Sequence, residues 1–540
     1  MCMNKFLLFI GLTGLLAGCG GGGSNGKYND AATSVPTNVQ DTFVYSTSLY
    51  GSDDGGPRAN IAVLLPSKGI AKTHGNEIKT SIETAFLRRP KNNVKISFFD
   101  ISGDKDQKHE AITRALNSDP DVIIGPLFAE DARMLRDMKP SNLPVISFTS
   151  DVSSLGDGVM TVNLIPTQSI ETMIRQMQKD TTKGIIVLAP DDKSGQMMTS
   201  VADTAAHLYD VPIRGIYYYT PGHSDSIKDV AIRASLYNMR NAANTRAREV
   251  LSDILTNETL SGDIRRHLSK QLEKISRNET LGELPYDSIL FLGNGDDSKK
   301  LASFLRYYGV GNRDVSFYGT TLWHDSNIDS DFTMSGAKYA TLPEISQSFR
   351  TLYDFMTNKQ PDYLSAFGYD AANLALGMIY FPEKNKTAYF FDPSGYVGAN
   401  GVFRIQPTGE SERALRIMEL DGSGTPKTIK DAPENFLVPL YNVHANHIRH
   451  VSERDIEGYG VNTGDYIDIP EELRSVPEYK TKQIGSDYEP AHIDKTKEKN
   501  VTTVSVHSDD DTETITNPDF QPVKLENVSR KYIDSVEIEE

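Results

Sequence analysis

Short apolar runs alternate with helix-length segments along most of this chain, and this alternation constrains the fold more than any other feature. The first run, residues 61–65, contains only Ile, Ala, Val and Leu and ends at Pro66. A segment with apolar residues at helical spacing follows from Thr73 to Leu87, and the alternation continues to Phe148. A continuous apolar run of this length is typical of a strand buried on both faces. The pattern therefore predicts repeated βαβ units around a parallel sheet.

A second set of the same units follows the first. Strand-like and helix-like segments alternate again from Thr167 to Tyr318. Two sets of similar size predict an α/β protein with two Rossmann-like lobes and a cleft lined by the carboxyl ends of strands. The polar stretch at about 227–281 interrupts the second set, and its apolar residues recur at helical spacing. We expect two amphipathic helices inserted there, with a disordered insertion as the alternative.

The N-terminus has the layout of a secretion signal. Lys5 precedes an apolar run over residues 6–16, which is shorter than the roughly 20 residues that span a bilayer. Residues 16–19, Leu-Ala-Gly-Cys, resemble a bacterial lipobox, in which the chain is cut before the cysteine and the cysteine carries acyl chains such as palmitate. We expect a signal peptide over residues 1–18 and a lipid anchor at Cys19, with an ordinary cleaved signal as the alternative.

Composition narrows the partners and the extent of the globular part. The formal net charge of −17 argues against nucleic acid as a partner. The hydrophobic share of 38% is below the roughly 45–50% of typical globular domains, which predicts long segments without a core. We assign these segments to a flexible tether at 19–58 and to an acidic, largely disordered tail at 427–540. The two-lobed domain is then expected over residues 59–426.

Several phrases occur in an order that resembles one family of bacterial lipoproteins. Residues 61–66 resemble the opening strand and loop of type I periplasmic, leucine-binding-like proteins. The other phrases narrow the resemblance to the branch called penicillin-binding protein activators, and they are Asp121–Phe128, Pro144–Phe148, Glu283–Leu290, Tyr307–Gly309, Gly319–Trp323, Phe367–Ala371 and Asp392–Arg404. The resemblance covers roughly residues 59–422.

The resemblance implies two lobes joined by a hinge, anchored by lipid and facing the periplasm. The best-known members bind a peptidoglycan synthase from the outer-membrane side and stimulate it without catalysis of their own. Those members carry a large helical-repeat domain before the two lobes, where this chain has a short tether. Gly20, rather than Asp, follows the anchor, which favours the outer membrane over the inner one. The alternative is a lipid-anchored receptor that delivers amino acids or a similar small ligand to an ABC transporter.

The sequence lacks the common motifs of hydrolytic, nucleotide-binding and zinc chemistry. The sequence has no Gly-x-Ser-x-Gly elbow, no phosphate-binding loop and no zinc spacing of Cys and His. His444, His447 and His450 are three residues apart, but this spacing does not hold them on one face of a helix or strand. We interpret them as a solvated cluster rather than a metal site, and we expect no cofactor and no enzymatic activity.

The resemblance also indicates where a ligand would bind. In amino-acid-binding relatives, two loops of the first lobe hold the carboxylate of the ligand, and the matching residues here are Phe128, Ala129, Thr149 and Ser150. The second lobe of those relatives supplies an aromatic and an acidic residue. The matching loops offer Asp296 and Trp323, although not the expected Tyr and Glu. The alternatives are turn or helix-cap roles for Thr149 and Ser150 and, for Trp323, packing between the two lobes.

Overall fold

The structure is a computed structural model. It describes residues 42–46, 59–88, 94–324, 326, 328–381, 386–422, 424–436, 440–443, 451–474 and 482–486. The signal peptide, Cys19 and the His444, His447 and His450 trio lie outside the described residues.

The first lobe is built on a six-stranded sheet. Its strands are β1 (Thr42–Ser46), β2 (Ala59–Leu65), β3 (Val94–Asp100), β4 (Val122–Ile124), β5 (Val145–Ser147) and β6 (Val159–Thr161). Their order in the sheet is β1-β3-β2-β4-β5-β6, and only β1 is antiparallel to its neighbour. The connecting helices are α1 (Lys72–Arg88), α2 (Lys105–Leu116) and α3 (Ala129–Met138).

Strand β1 corrects one expectation. It lies within the stretch 19–58 that the sequence analysis assigned to a flexible tether, yet it pairs with β3 along its whole length. Its sequence, Thr-Phe-Val-Tyr-Ser, is rich in β-branched and aromatic residues, which favour strands. The tether prediction is therefore wrong for residues 42–46.

The second lobe is built on a seven-stranded sheet. It begins with α4 (Pro166–Lys179), β7 (Ile185–Pro190), α5 (Lys193–Leu208) and β8 (Ile213–Tyr219). It continues with α6 (Ser224–Ala234), α7 (Tyr237–Thr256), α8 (Gly262–Ser276), β9 (Ser288–Phe291), α9 (Gly295–Tyr307), β10 (Ser316–Gly319) and β11 (Lys338–Thr341). Strands β7 to β11 are parallel, as expected from buried apolar runs. The stretch 227–281 contains most of α6 in addition to α7 and α8, so it holds one helix more than expected. Helices α7 and α8 pack on each other.

The rest of the chain returns to both lobes. Helices α10 (Gln347–Thr357) and α11 (Tyr363–Tyr380) pack on α1 of the first lobe, and β12 (Tyr396–Gly398), β13 (Gly401–Ile405) and β14 (Ser411–Arg413) form a small antiparallel sheet. Then β15 (Arg416–Glu419) and β16 (Lys427–Lys430) extend the sheet of the second lobe, whose order is β16-β15-β11-β10-β9-β7-β8. The predicted α/β architecture of two parallel sheets is confirmed.

Within the residues that the structure describes, the chain crosses between the lobes three times at the ends of strands of the two main sheets and the small sheet. The crossovers are residues 162–165 between β6 and α4, residues 342–346 between β11 and α10, and residues 414–415 between β14 and β15. We call these residues, together with the small sheet β12–β14, the hinge. One continuous apolar core runs through it, because Ile78 of α1, Phe403 of β13 and Ile174 of α4 belong to the same cluster of buried side chains.

The described part of the C-terminal stretch is folded. It contains β17 (Gly460–Asn462), α12 (Glu471–Arg474) and β18 (Gln483–Gly485), and Arg454 forms a backbone bridge to Ile216 of β8. The side chains of Val461, Ile467, Ile469 and Ile484 are buried against α7 or α8. These apolar residues occur singly in an acidic stretch of the sequence. In the structure, each packs into a hydrophobic core formed mainly by the inserted helices. The prediction of a disordered tail from residue 427 is therefore wrong for the described residues.

We predict that Ile467→Ala lowers the free energy of unfolding by about 2–5 kcal/mol, because it leaves a cavity beneath α7 and α8. Urea unfolding followed by fluorescence measures this, since Trp323 is the only Trp and lies in the core of the second lobe. The matched control is Ile429→Ala, whose side chain is 39% exposed and which we expect to change stability by less than about 1 kcal/mol. Equal effects of the two substitutions would contradict a packed C-terminal segment.

Candidate functional site

The carboxyl ends of both parallel sheets face the hinge. The chain leaves the first sheet at the carboxyl end of β6 and the second sheet at the carboxyl end of β11. At both places it continues directly into a crossover. In open parallel sheets, ligands bind in the crevice outside the carboxyl ends of the strands. The loops that follow the strands at these two edges are therefore the candidate site.

Three of the four first-lobe candidates lie accessible at this edge. Phe128 is 43% exposed and directly precedes α3, whose first residue is Ala129. The N-terminus of α3 has no side-chain cap, so no capping side chain accepts hydrogen bonds from its first backbone N–H groups. Two carboxylates, Glu130 and Asp131, already occupy its first turn. Ser150 is exposed in the neighbouring loop.

Thr149 has a local structural role. Its side chain is buried, and its hydroxyl accepts a hydrogen bond from the backbone N–H of Asp151 at 3.0 Å. Its carbonyl accepts one from the Thr161 hydroxyl at 2.6 Å. Thr149 is therefore a turn residue that fixes the loop after β5, which was the alternative in the sequence analysis.

Asp100 fixes the neighbouring loop after β2. Its Oδ1 atom accepts hydrogen bonds from the backbone N–H groups of Ser67, at 2.9 Å, and of Ser102, at 3.0 Å. Partial burial by itself would raise the pKa of Asp100, but the hydrogen bonds from Ser102 and Ser67 lower it to about 2. The carboxylate stays ionised at neutral pH and holds the first-lobe edge of the cleft in one conformation.

The polar side chains of the second-lobe loops are engaged within the protein. Asp296 lies in the first turn of α9 and forms an ion pair with Lys299 at 2.8 Å. Asn294 caps the same helix by accepting from the Asp297 N–H at 2.9 Å. Asp192 caps α5 in the same way. These side chains satisfy helix N-termini that a ligand would otherwise occupy.

Trp323 lies in the core and not at the cleft surface. Its side chain is 0% exposed, and its indole N–H donates to the Ser298 hydroxyl at 3.0 Å. The ring packs on Phe291 and Tyr339, with ring centroids 5.8 Å and 6.1 Å away. The structure therefore excludes Trp323 as a ligand contact. The expectation that Trp323 packs between the lobes is also wrong, because these neighbours all belong to the second lobe.

One contact between the lobes was missed by the sequence analysis. The His324 ring, which follows β10, stacks on the Tyr363 ring at the start of α11, with centroids 4.5 Å apart. His324 Nδ1 and the Thr341 hydroxyl are also within hydrogen-bonding distance at 3.3 Å. The sequence pattern does not indicate this contact, because His324 lies in a loop of the second lobe and Tyr363 begins a helix of the first lobe. The two residues are 39 positions apart in the chain.

A buried ion pair lies at the hinge. The Arg413 guanidinium is 3.0 Å from a carboxylate oxygen of Asp370, and each side chain is 1% exposed. The guanidinium also donates to the carbonyl of Val162 at 2.8 Å and to the side-chain oxygen of Asn400 at 2.9 Å. The other Asp370 oxygen accepts from the backbone N–H of Ala399 at 2.7 Å. The pair thus joins the first crossover, α11 of the first lobe and the strand that leads into the third crossover.

The sequence did contain a signal for half of this pair. Asp370 is the only charged residue in the 18 residues of α11, which are otherwise apolar or neutral. A lone carboxylate in a buried helix requires a partner, because an isolated buried charge is costly. The partner could not be identified, since Arg413 is one of several arginines that follow α11 in sequence.

The described residues offer neither a metal site nor a membrane span. Among them, no group of three or more His, Cys, Asp or Glu side chains could hold a metal ion. None of their helices is both long and apolar enough to cross a bilayer.

Known proteins resemble this chain in structure rather than in sequence. No protein-family model matches the sequence, and no curated protein matches it significantly. A structure from Rhodospirillum rubrum, named as a branched-chain amino acid ABC transporter, has a TM-score of 0.52 at 15% identity and covers 69% of this chain and 100% of its own. The LpoA (YraM) C-domain from Haemophilus influenzae, a regulator of PBP1A, has a TM-score of 0.44 at 15% identity, with coverages of 69% and 100%. Leucine-binding protein LivK from Thermotoga maritima has a TM-score of 0.44 at 14% identity, with coverages of 68% and 97%.

The similarity shows the fold of the two lobes. It is the type I periplasmic-binding-protein fold, in which two α/β lobes are joined by three crossovers.

We predict that Asp370→Asn lowers the free energy of unfolding by about 3–5 kcal/mol, because it leaves the Arg413 charge buried without a counter-charge. The double variant Asp370→Leu, Arg413→Met should recover most of this loss, since it removes both charges together. Thermal and urea unfolding measure the difference. Arg266→Met, which breaks the exposed ion pair with Asp263, is the matched control and should unfold like the unaltered protein. A double variant as unstable as the single one would refute this view of the pair.

Proposed function

We propose that this chain is a lipid-anchored, periplasm-facing regulator whose two-lobed domain binds and stimulates a peptidoglycan synthase, without catalytic activity of its own. The observation that carries the proposal is the engagement of Asp296 and Trp323 within the second lobe. One is ion-paired to Lys299, and the other is in the core. The acidic and aromatic clamp that would hold an amino acid between the lobes is not formed by these residues.

The exposed side chains at the cleft edges fit a protein partner. Ile70 in the loop after β2 is 77% exposed, Phe128 after β4 is 43% exposed, and Leu322 after β10 is 42% exposed. They come from both lobes and lie at the carboxyl edges of the two sheets. Small-molecule sites bury their apolar groups around the ligand, whereas large exposed apolar groups become buried when a protein surface covers them.

The order of the family phrases along the sequence supports the same partner. The phrases span roughly residues 59–422, which is the part of the chain that forms the two lobes and the hinge. The fold itself is compatible with a regulator and with a solute receptor. Our preference for a regulator over a solute receptor therefore depends on the residues at the cleft edges.

One observation favours the solute-receptor alternative. The N-terminus of α3, with Phe128 and Ala129, has no side-chain cap, and Ser150 is exposed in the adjacent loop. Uncapped helix N-termini bind anionic groups such as an α-carboxylate. The exposed carboxylate of Glu130 in the first turn weakens that attraction, because it offsets the positive end of the helix dipole. The charge of Asp131 is compensated by its ion pair with Lys108 at 2.9 Å.

We expect the purified full-length protein to recover a penicillin-binding synthase from a detergent extract of its own membranes, detected with fluorescent penicillin. Phe128→Asp and Leu322→Asp should each lower the recovery about tenfold, because an apolar anchor in an interface contributes about 1–2 kcal/mol. Tyr307→Asp is the control, since Tyr307 is exposed at the opposite edge of the second sheet. Micromolar binding of an amino acid by calorimetry, with no synthase recovered, would favour the receptor instead.

The anchor leads to a separate prediction. If Cys19 carries the lipid, the mature protein should begin at Cys19, bear acyl chains detectable by mass spectrometry, and fractionate with the outer membrane. Cys19→Ser should abolish acylation and release the protein from the membrane fraction. The Cys2→Ser control should change neither, because Cys2 lies in the part that is removed. A Cys19→Ser variant that stays membrane-bound would argue against the lipobox.

A further inference from the structure

Residues 440–443 form a strap across the hinge. They lie beyond β16 and run between β14, at the hinge, and helix α4 of the second lobe. The four residues are Leu440, Tyr441, Asn442 and Val443. The three crossovers that define the fold do not include them, so the strap is a fourth link between these parts of the molecule.

Leu440 bridges the two sides with its backbone. Its N–H donates to the Glu412 carboxylate of β14 at 3.0 Å. Its carbonyl accepts from the Arg175 guanidinium of α4 at 2.6 Å. Both partners are charged, and hydrogen bonds to charged groups are stronger than neutral ones. Glu412 is itself fixed by an ion pair with Arg404 of β13 at 2.6 Å.

Glu171 holds the other end of the strap. Its side chain is buried on α4 and accepts hydrogen bonds from the backbone N–H groups of Asn442 and Val443, each at 2.9 Å. It also accepts from the hydroxyl of Tyr209, the residue that follows α5. A buried carboxylate with these donors is satisfied. If the strap moved away, the carboxylate would lose its two backbone donors and keep, among the described residues, only the Tyr209 hydroxyl, which is costly for a buried charge.

The strand at the near end of the strap is tied to the first lobe. Arg413 of β14 forms the buried ion pair with Asp370 of α11, and the Tyr441 hydroxyl of the strap donates to the Arg413 carbonyl at 2.7 Å. Gln168 of α4 also accepts from the Arg413 N–H at 3.0 Å. A rotation of one lobe against the other would change the separation of β14 from α4. The hydrogen bond between Arg413 and Gln168 spans that separation directly, and the strap spans it through its contacts with Glu412 and Arg413 on one side and with Glu171 and Arg175 on the other.

Two-lobed proteins of this architecture open and close by small changes in a few hinge residues. Here the strap, the buried Glu171 and the continuous hinge core oppose such a change. We propose that the strap holds the two lobes at one fixed angle, so that this protein presents a rigid two-lobed surface and does not close around a ligand. The proposal concerns the mechanics of the hinge and is independent of which partner the protein binds.

The test measures the distance between the lobes by pulsed electron spin resonance. The full-length chain with Cys2→Ser and Cys19→Ser carries spin labels at Lys105→Cys on α2 and Lys270→Cys on α8, both exposed. We expect one narrow distance distribution that amino acids do not shift. A label pair within the second lobe, Ser303→Cys and Lys270→Cys, gives the width expected of a single rigid lobe.

Two variants then remove the strap contacts. Glu171→Gln weakens the acceptor of the Asn442 and Val443 N–H groups, and Arg175→Met removes the donor to Leu440. Each should broaden the interlobe distribution while the pair within the second lobe stays narrow. Glu249→Gln, at an exposed position on α7, is the matched control and should leave both unchanged.

Two results would overturn the proposal. One is a broad or two-peaked interlobe distribution in the protein with an intact strap. The other is an unchanged narrow distribution in folded Arg175→Met and Glu171→Gln proteins. If Glu171→Gln fails to fold, Arg175→Met decides alone, because Arg175 is only partly buried and its replacement leaves the Glu171 carboxylate satisfied.

Discussion

The ion pair between Arg413 and Asp370 is the interaction on which the relation of the two lobes depends. Neither charge can reach water, so each must be satisfied by groups brought from distant parts of the chain. The guanidinium carbon also lies 4.4 Å and 4.5 Å from the ring centroids of Phe367 and Phe403, which confine it from two sides. The hydrogen bonds of the pair are therefore satisfied in one arrangement of the hinge. Another packing of the lobes would leave a charge buried among apolar side chains without a partner.

This constraint also acts on the crossovers. The crossovers of such proteins serve as hinges when their residues are free to change backbone angles. Here the backbone of the first crossover is bound by Arg413 through Val162, and the second is bound through the Ser346 N–H, which donates to the Ala399 carbonyl at 2.7 Å. A regulator that acts by contact benefits from such rigidity, because a preformed surface loses less entropy on binding.

The strands and most helices could be predicted from the sequence because buried parallel strands are continuous apolar runs. The helical segment expected from Thr73 to Leu87 is α1, Lys72–Arg88, so periodicity alone gave both of its ends within one residue. Local patterns could not show that Trp323 points into its own lobe, since the direction of a side chain after a strand depends on the turn that follows. They also could not detect the C-terminal segment, because Ile456, Val461 and Ile467 are isolated in sequence and acquire a core only from helices about 200 residues earlier.

Neither lobe is a contiguous stretch of the chain, and this has a consequence for how the protein folds. The first lobe needs α11, and the second needs strands and apolar side chains that extend to Ile484. Contacts between residues so far apart in sequence form late, after a large loss of chain entropy. Strands β2 to β6 consequently exist for a time as uncovered, aggregation-prone apolar segments while the remainder is being synthesised. The first lobe therefore stays incomplete until α11, which ends at Tyr380, has been made, and the second lobe until the chain has reached Ile484.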